Sequence, residues 1–103
     1  MSSEDNWSEP LPVTPIIQEI ADKVKPQLEK KVGKTYPVYA AQKYRYLEEI
    51  VGASHYLIQV SVSNSPDECV HLYVVQMVLA TAVDPELMNY QLKKTKCEPL
   101  EPF

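Results

Sequence analysis

Cys69 and His71 are the one pair in this chain whose types and spacing suggest nucleophilic chemistry. Two positions apart on an extended segment, a thiol and an imidazole share a face, as a thiolate–imidazole dyad requires. The competing reading is a small apolar side chain beside a solvent-facing imidazole on the outer side of a strand, and we adopt it. His55 has the same explanation. Glu48 and Glu49 have the residue types of an acid and base pair, but adjacent side chains at a hairpin tip diverge and stay hydrated. The sequence carries no glycine-rich phosphate loop, no metal-ligand spacing and no nucleophile elbow. Neither an enzyme nor a cofactor or metal is expected.

A chain of 103 residues suits one domain with one continuous core. Ten basic side chains against fourteen acidic ones give a formal charge of −4, the wrong sign for a phosphate-binding surface, so nucleic acid is not an expected partner. The opening residues, MSSEDNWSEPLPVTP, lack a basic segment followed by an apolar one, and no apolar run approaches the ~20 residues that cross a bilayer. The expectation is a cytoplasmic protein with no membrane contact. In a reducing compartment Cys69 and Cys97 are expected as thiols, and the glycosylation triplet Asn6-Trp7-Ser8 stays unused.

These residues must be positioned by elements that the pattern also indicates. Residues 1 to 13, acidic and small polar with Pro10 and Pro12, read as a mobile arm that forms neither helix nor strand. Thr14 is an N-cap and Pro15 the first helical residue, where a missing N–H costs nothing. Ile17, Ile20, Ala21, Val24 and Leu28 then recur at three and four positions and predict one buried stripe. Pro26 should bend this helix and Gly33 should end it.

Tyr36 to Leu47 reads as a first strand, with Lys43 and Arg45 on one face and Gln42, Tyr44 and Tyr46 on the other. Tyr56, Ile58, Val60 and Val62 alternate with His55, Gln59 and Ser61, broken only by Leu57. After the turn SNSPDE, Val70, Leu72 and Val74 alternate with Cys69, His71 and Tyr73, and a fourth strand begins at Leu87. Connections this short join only antiparallel neighbours, so a meander with the helix across one face is expected, an α+β domain. The tyrosines at 36, 39, 44 and 46 read as packing, whereas Trp7 either anchors a partner or folds back on the sheet.

TPIIQEIADKVKPQLEKK at 14 to 31, Tyr36, VHLYV at 70 to 74, NYQL at 89 to 92 and the ending Leu100 to Phe103 resemble the stefins, the intracellular type 1 cystatins. The resemblance covers about nine tenths of the chain in order. It implies a cystatin-like fold, with a bent helix wrapped by a four- to five-stranded antiparallel sheet. It also implies reversible, tight inhibition of papain-like cysteine proteases of the cathepsin type. In that family the cleft is filled by an arm with a glycine, a hairpin reading Gln-x-Val-x-Gly and a second hairpin usually holding Leu-Pro. An apolar tip replaces water in a cleft, and a glycine lets backbone approach backbone.

Carried onto this chain, the first tip is Glu48, Glu49, Ile50, Val51 and Gly52, with glutamate for glutamine and isoleucine for valine. Counted from the following strand it reaches Ala53, and it is two residues longer than the family's. The arm's glycine position falls on or beside Asp5, and residues 1 to 10 hold no glycine. Leu-Pro falls on Val78-Leu79, which keeps an apolar contact and loses the rigid turn. For Ile50-Val51 the alternative is a strand continuation packed on its neighbour. For the whole chain the alternatives are an interaction module that has lost inhibition and an engineered scaffold with altered tips. A monomer is expected, and hairpin exchange into a dimer is left open.

Overall fold

The computed structural model describes residues 7–48, 53–65, 67–77 and 84–101. Thr14 opens the helix α1, Pro15–Val32, by accepting the Ile17 N–H on its hydroxyl at 3.3 Å, with Pro15 in the first turn. Gly33, at φ 75°, closes it and donates its N–H to the Glu29 carbonyl at 2.8 Å. The helix runs on through Pro26. Its buried residues are Ile17, Ile20, Ala21, Val24 and Leu28, the stripe that the spacing predicts.

Among the described residues five strands follow the order β1 (Leu11–Pro12), β2 (Ala40–Glu48), β3 (Ala53–Ser61), β4 (Cys69–Met77) and β5 (Glu86–Lys94). They form one sheet in that same order, and every neighbouring pair is antiparallel, which is the expected α+β, cystatin-like arrangement. One face of the sheet supplies Ile58, Val60, Val70, Leu72, Val74 and Leu87 to a core with the helix stripe. Each of these alternates with an outward neighbour because strand side chains have a period of two.

Three sequence readings are corrected. The first concerns the start of β2, which begins at Ala40 rather than Tyr36. Residues 36 to 39 are instead bound to the helix: the Tyr36 N–H donates to Glu29 Oε2 at 2.8 Å and the Tyr39 hydroxyl donates to the Ala21 carbonyl at 2.7 Å. A bulge between Ala41 and Lys43 also breaks the alternation expected through Gln42.

The second correction is that the arm contains a strand. Leu11 and Pro12 pair with Tyr44 and Lys43, and Pro12 is tolerated because β1 is an edge that need not donate on both sides. The third is that the imidazole of His71 is not solvent-facing: it is 1% exposed, beside Gln59 at 0%. The outer face of the sheet has its own cover, a cluster of Trp7, Leu57 and Leu100 with Leu47 and Tyr73 packed against it. Leu57, which breaks the alternation of β3, is therefore apolar on an apolar face.

Candidate functional site

The two hairpins turn at the same end of the sheet. Glu48, the last residue of β2, pairs with Ser54, while Ala53, the first of β3, pairs with Met77, the last of β4. Across from them Val75 pairs with Glu86, so the chain returns from the second tip through Asp84 and Pro85 at that end too. Gln27 fixes this return from the helix. Its amide donates to the Pro85 carbonyl at 3.1 Å and accepts the Leu87 N–H at 2.9 Å.

The N-terminal segment arrives at the same place. Beyond β1 the antiparallel path continues through Ser8, whose N–H donates to the Tyr46 carbonyl and whose hydroxyl accepts the Tyr46 N–H, both at 2.9 Å. Trp7 thus stands near the end of β2. Of the residues that the resemblance singles out, Glu48 and Ala53 are strand ends at this edge, while Asp5, Glu49, Ile50, Val51, Gly52, Val78 and Leu79 lie outside the described residues. The structure brings together the strand ends that carry them. Tyr46 and Met77, 40% and 43% exposed, add apolar surface there that the sequence reading did not single out. Beside Tyr46 an open groove of about 460 Å³ is lined by Ile16, Ile17, Tyr44, Tyr46, Ser54 and Tyr56.

Trp7 folds back rather than pointing out. It is 8% exposed and meets Tyr73 edge-on, with ring centroids 5.8 Å apart. Arg45 fastens the same region from two sides, donating from Nε to the Ser8 carbonyl at 2.8 Å and from Nη1 to the Leu100 carbonyl at 2.9 Å. The fold-back of Trp7 was one of its two sequence readings, whereas the role of Arg45 was not read, because Arg45 looked like one more charge on an outer face. The only signal was the lone leucine at 100 in an otherwise proline-flanked polar tail.

The geometry around Cys69 and His71 rules against a dyad. Both are buried, at 1% exposure each. Burial pushes the Cys69 thiol up, and burial, helped by the Lys94 and Lys43 cations against an opposing Glu98, takes the His71 imidazole down to about 4. At neutral pH the pair is a thiol and a neutral ring, the wrong protonation states for an activated nucleophile. The second cysteine, Cys97, is an exposed thiol. Among the described residues no group of three or more His, Cys, Asp or Glu side chains forms a metal cage. No helix of the described residues is long and apolar enough to cross a membrane.

No protein-family model matches the chain. Curated relatives do. The chain is 45% identical to leukocyte cysteine proteinase inhibitor 1 of Sus scrofa, an alignment covering 93% of this chain and 89% of the relative. It is 38% identical to cystatin-A of Homo sapiens, covering 93% and 94%, and 36% identical to stefin-C of Bos taurus, covering 94% and 92%. With this similarity running nearly end to end in both partners, and with a helix crossed by an antiparallel meander, the chain belongs to the stefins, a family of inhibitors rather than enzymes.

Proposed function

We propose that this protein is a reversible, tight-binding inhibitor of papain-like cysteine proteases of the cathepsin type. It acts as a plug. The arm around Asp5, the first tip from Glu48 to Ala53 and the second tip at Val78-Leu79 enter the active-site cleft and cover the nucleophile without offering a bond to attack. The observation that carries this reading is the convergence of Trp7, Glu48, Ala53 and Met77 at one end of the sheet. Segments fixed on a preformed scaffold lose little entropy on docking, which permits tight binding from a modest surface. The protein works as a monomer in the cytoplasm, where the target thiols and its own stay reduced.

A second reading, an interaction module on the same fold without inhibition, is favoured by Glu48-Glu49 at the tip and by the lack of glycine in residues 1 to 10. Burying a carboxylate without a partner costs several kcal/mol, and each ~1.4 kcal/mol is tenfold in affinity. On the hairpin rim the same charges alter association rate more than affinity. Titration of active papain, followed by hydrolysis of a fluorogenic peptide, separates the two readings. Stoichiometric inhibition supports the plug, and none supports the module.

A further inference from the structure

We propose that the C-terminal segment latches the N-terminal arm, making Trp7, Arg45 and Leu100 positioning residues for the arm's share of protease binding. This rests on the inhibitory reading above. Apart from the latch the arm is held by the two-residue pairing of β1 through Leu11 and Pro12 and by the two bonds between Ser8 and Tyr46, and so short an edge pairing is marginal alone. Further along, one side chain joins the two chain ends. The Arg45 guanidinium donates to Ser8 of the arm and to Leu100 of the tail through different nitrogens, a fixed fork that a lysine does not reproduce. Beside it Trp7 is closed in by Leu57 of the sheet, Leu100 of the tail and the near-perpendicular ring of Tyr73.

The tail is itself tied down before it reaches Trp7. The Gln59 amide donates to the Thr95 carbonyl at 2.8 Å, and the Glu98 N–H closes a turn on that same carbonyl at 3.2 Å. Just before it, Lys93 at φ 59° and a register shift opposite Cys69 and His71 mark a bulge, the device that bends a strand. The path from β5 through residues 95 to 101 therefore ends with Leu100 buried against Trp7. With the latch shut, the arm leaves from a fixed Trp7 at the end of the sheet where Glu48, Ala53 and Met77 meet. With it open only β1 and the exposed Ser8–Tyr46 bonds hold the arm, and the residues before β1 must be ordered when the protease binds.

Ordering a single residue costs enough to lower affinity about tenfold, so opening the latch weakens inhibition by about tenfold or more. Trp7 is the chain's one tryptophan and reports the latch directly. In the full-length protein Leu100→Ala, and Arg45→Met with its stem kept and donors removed, are expected to shift Trp7 emission to the red and to raise its quenching by acrylamide several-fold. Leu100→Met is expected to behave as the parent. Leu28→Ala, which damages the core on the other face, is expected to leave the quenching unchanged at temperatures where it remains folded. In papain titrations Leu100→Ala should weaken the parent about tenfold and a Trp7→Ala protein hardly at all, the signature of one shared interaction. Trp7 staying shielded in both Leu100→Ala and Arg45→Met, or equal losses in the two backgrounds, overturns the latch. A parent that does not inhibit overturns the proposed function instead, and the quenching comparison still decides the latch.

Discussion

Acidification should destabilise this protein through His71. The imidazole is 1% exposed and held at about 4 against an ordinary value of 6.5. Burial, which disfavours the charged ring, is the main cause, and the neighbouring groups reinforce it. The Gln59 amide nitrogen, pinned by its 2.8 Å bond to the Thr95 carbonyl, stands 3.4 Å from His71 Nε2. A nitrogen facing an amide donor must be the unprotonated one, so a second ring proton would put N–H against N–H in a dry site. Lys94 and Lys43 add to this repulsion and Glu98 partly relieves it.

The unfolded chain takes up the proton near pH 6.5 and the folded one only near pH 4, so between these values the unfolded state binds more protons and stability falls as pH falls. The loss reaches about 2 kcal/mol at pH 5 and about 3 kcal/mol below pH 4, where both states are protonated and it stops growing. That is a large share of the ~5–15 kcal/mol typical of a domain. Urea unfolding followed by circular dichroism across this range, for the parent and for His71→Leu, isolates the effect because the carboxylates titrate alike in both. The parent should lose about 2 kcal/mol more than the variant between neutrality and pH 5. Equal slopes would refute the assignment, as would an NMR titration that finds His71 protonating near 6.5.

Gly33→Ala should cost about 1–2 kcal/mol, read as a lower melting temperature, since the space beside it is open and only its left-handed backbone at φ 75° penalises a side chain. Gln27→Leu removes both bonds that fix Pro85 and Leu87, and should cost about 1–3 kcal/mol and weaken protease binding by loosening the base of the second tip, measured by urea unfolding and papain titration. Glu49→Gln should strengthen inhibition of papain, because an uncharged amide enters a cleft at lower desolvation cost. An unchanged inhibition constant for Glu49→Gln would argue that this tip does not enter the cleft.

The helix was legible from end to end because its determinants are local: Thr14, Pro15, the 3–4 stripe and Gly33 all act within a turn or two. Strand alternation likewise identified the faces of Tyr56, Ile58 and Val60 and of Val70, Leu72 and Val74, which do pack under the helix. What alternation could not reveal was the cover on the opposite face. The burial of Gln59 and His71 depends on a tail that returns across the sheet, with the Thr95 carbonyl bonded to Gln59 over a separation of 36 residues. The same holds for Trp7, whose fold-back is decided by Leu57 and Leu100 rather than by its neighbours in sequence. For the site, it was the resemblance to the stefins that indicated which tips to consider. The shared end of the sheet became visible only from the register that sets Ala53 opposite Met77 and Glu48 opposite Ser54.

The most direct measurement is the titration of active papain with the purified full-length protein. A plug built on this edge should abolish peptide hydrolysis near a one-to-one ratio, with a dissociation constant of about nanomolar or tighter, as preorganised inhibitors reach. Undiminished hydrolysis at roughly tens of micromolar protein, above about −7 kcal/mol of binding, would contradict it and leave the edge as a surface for some other partner.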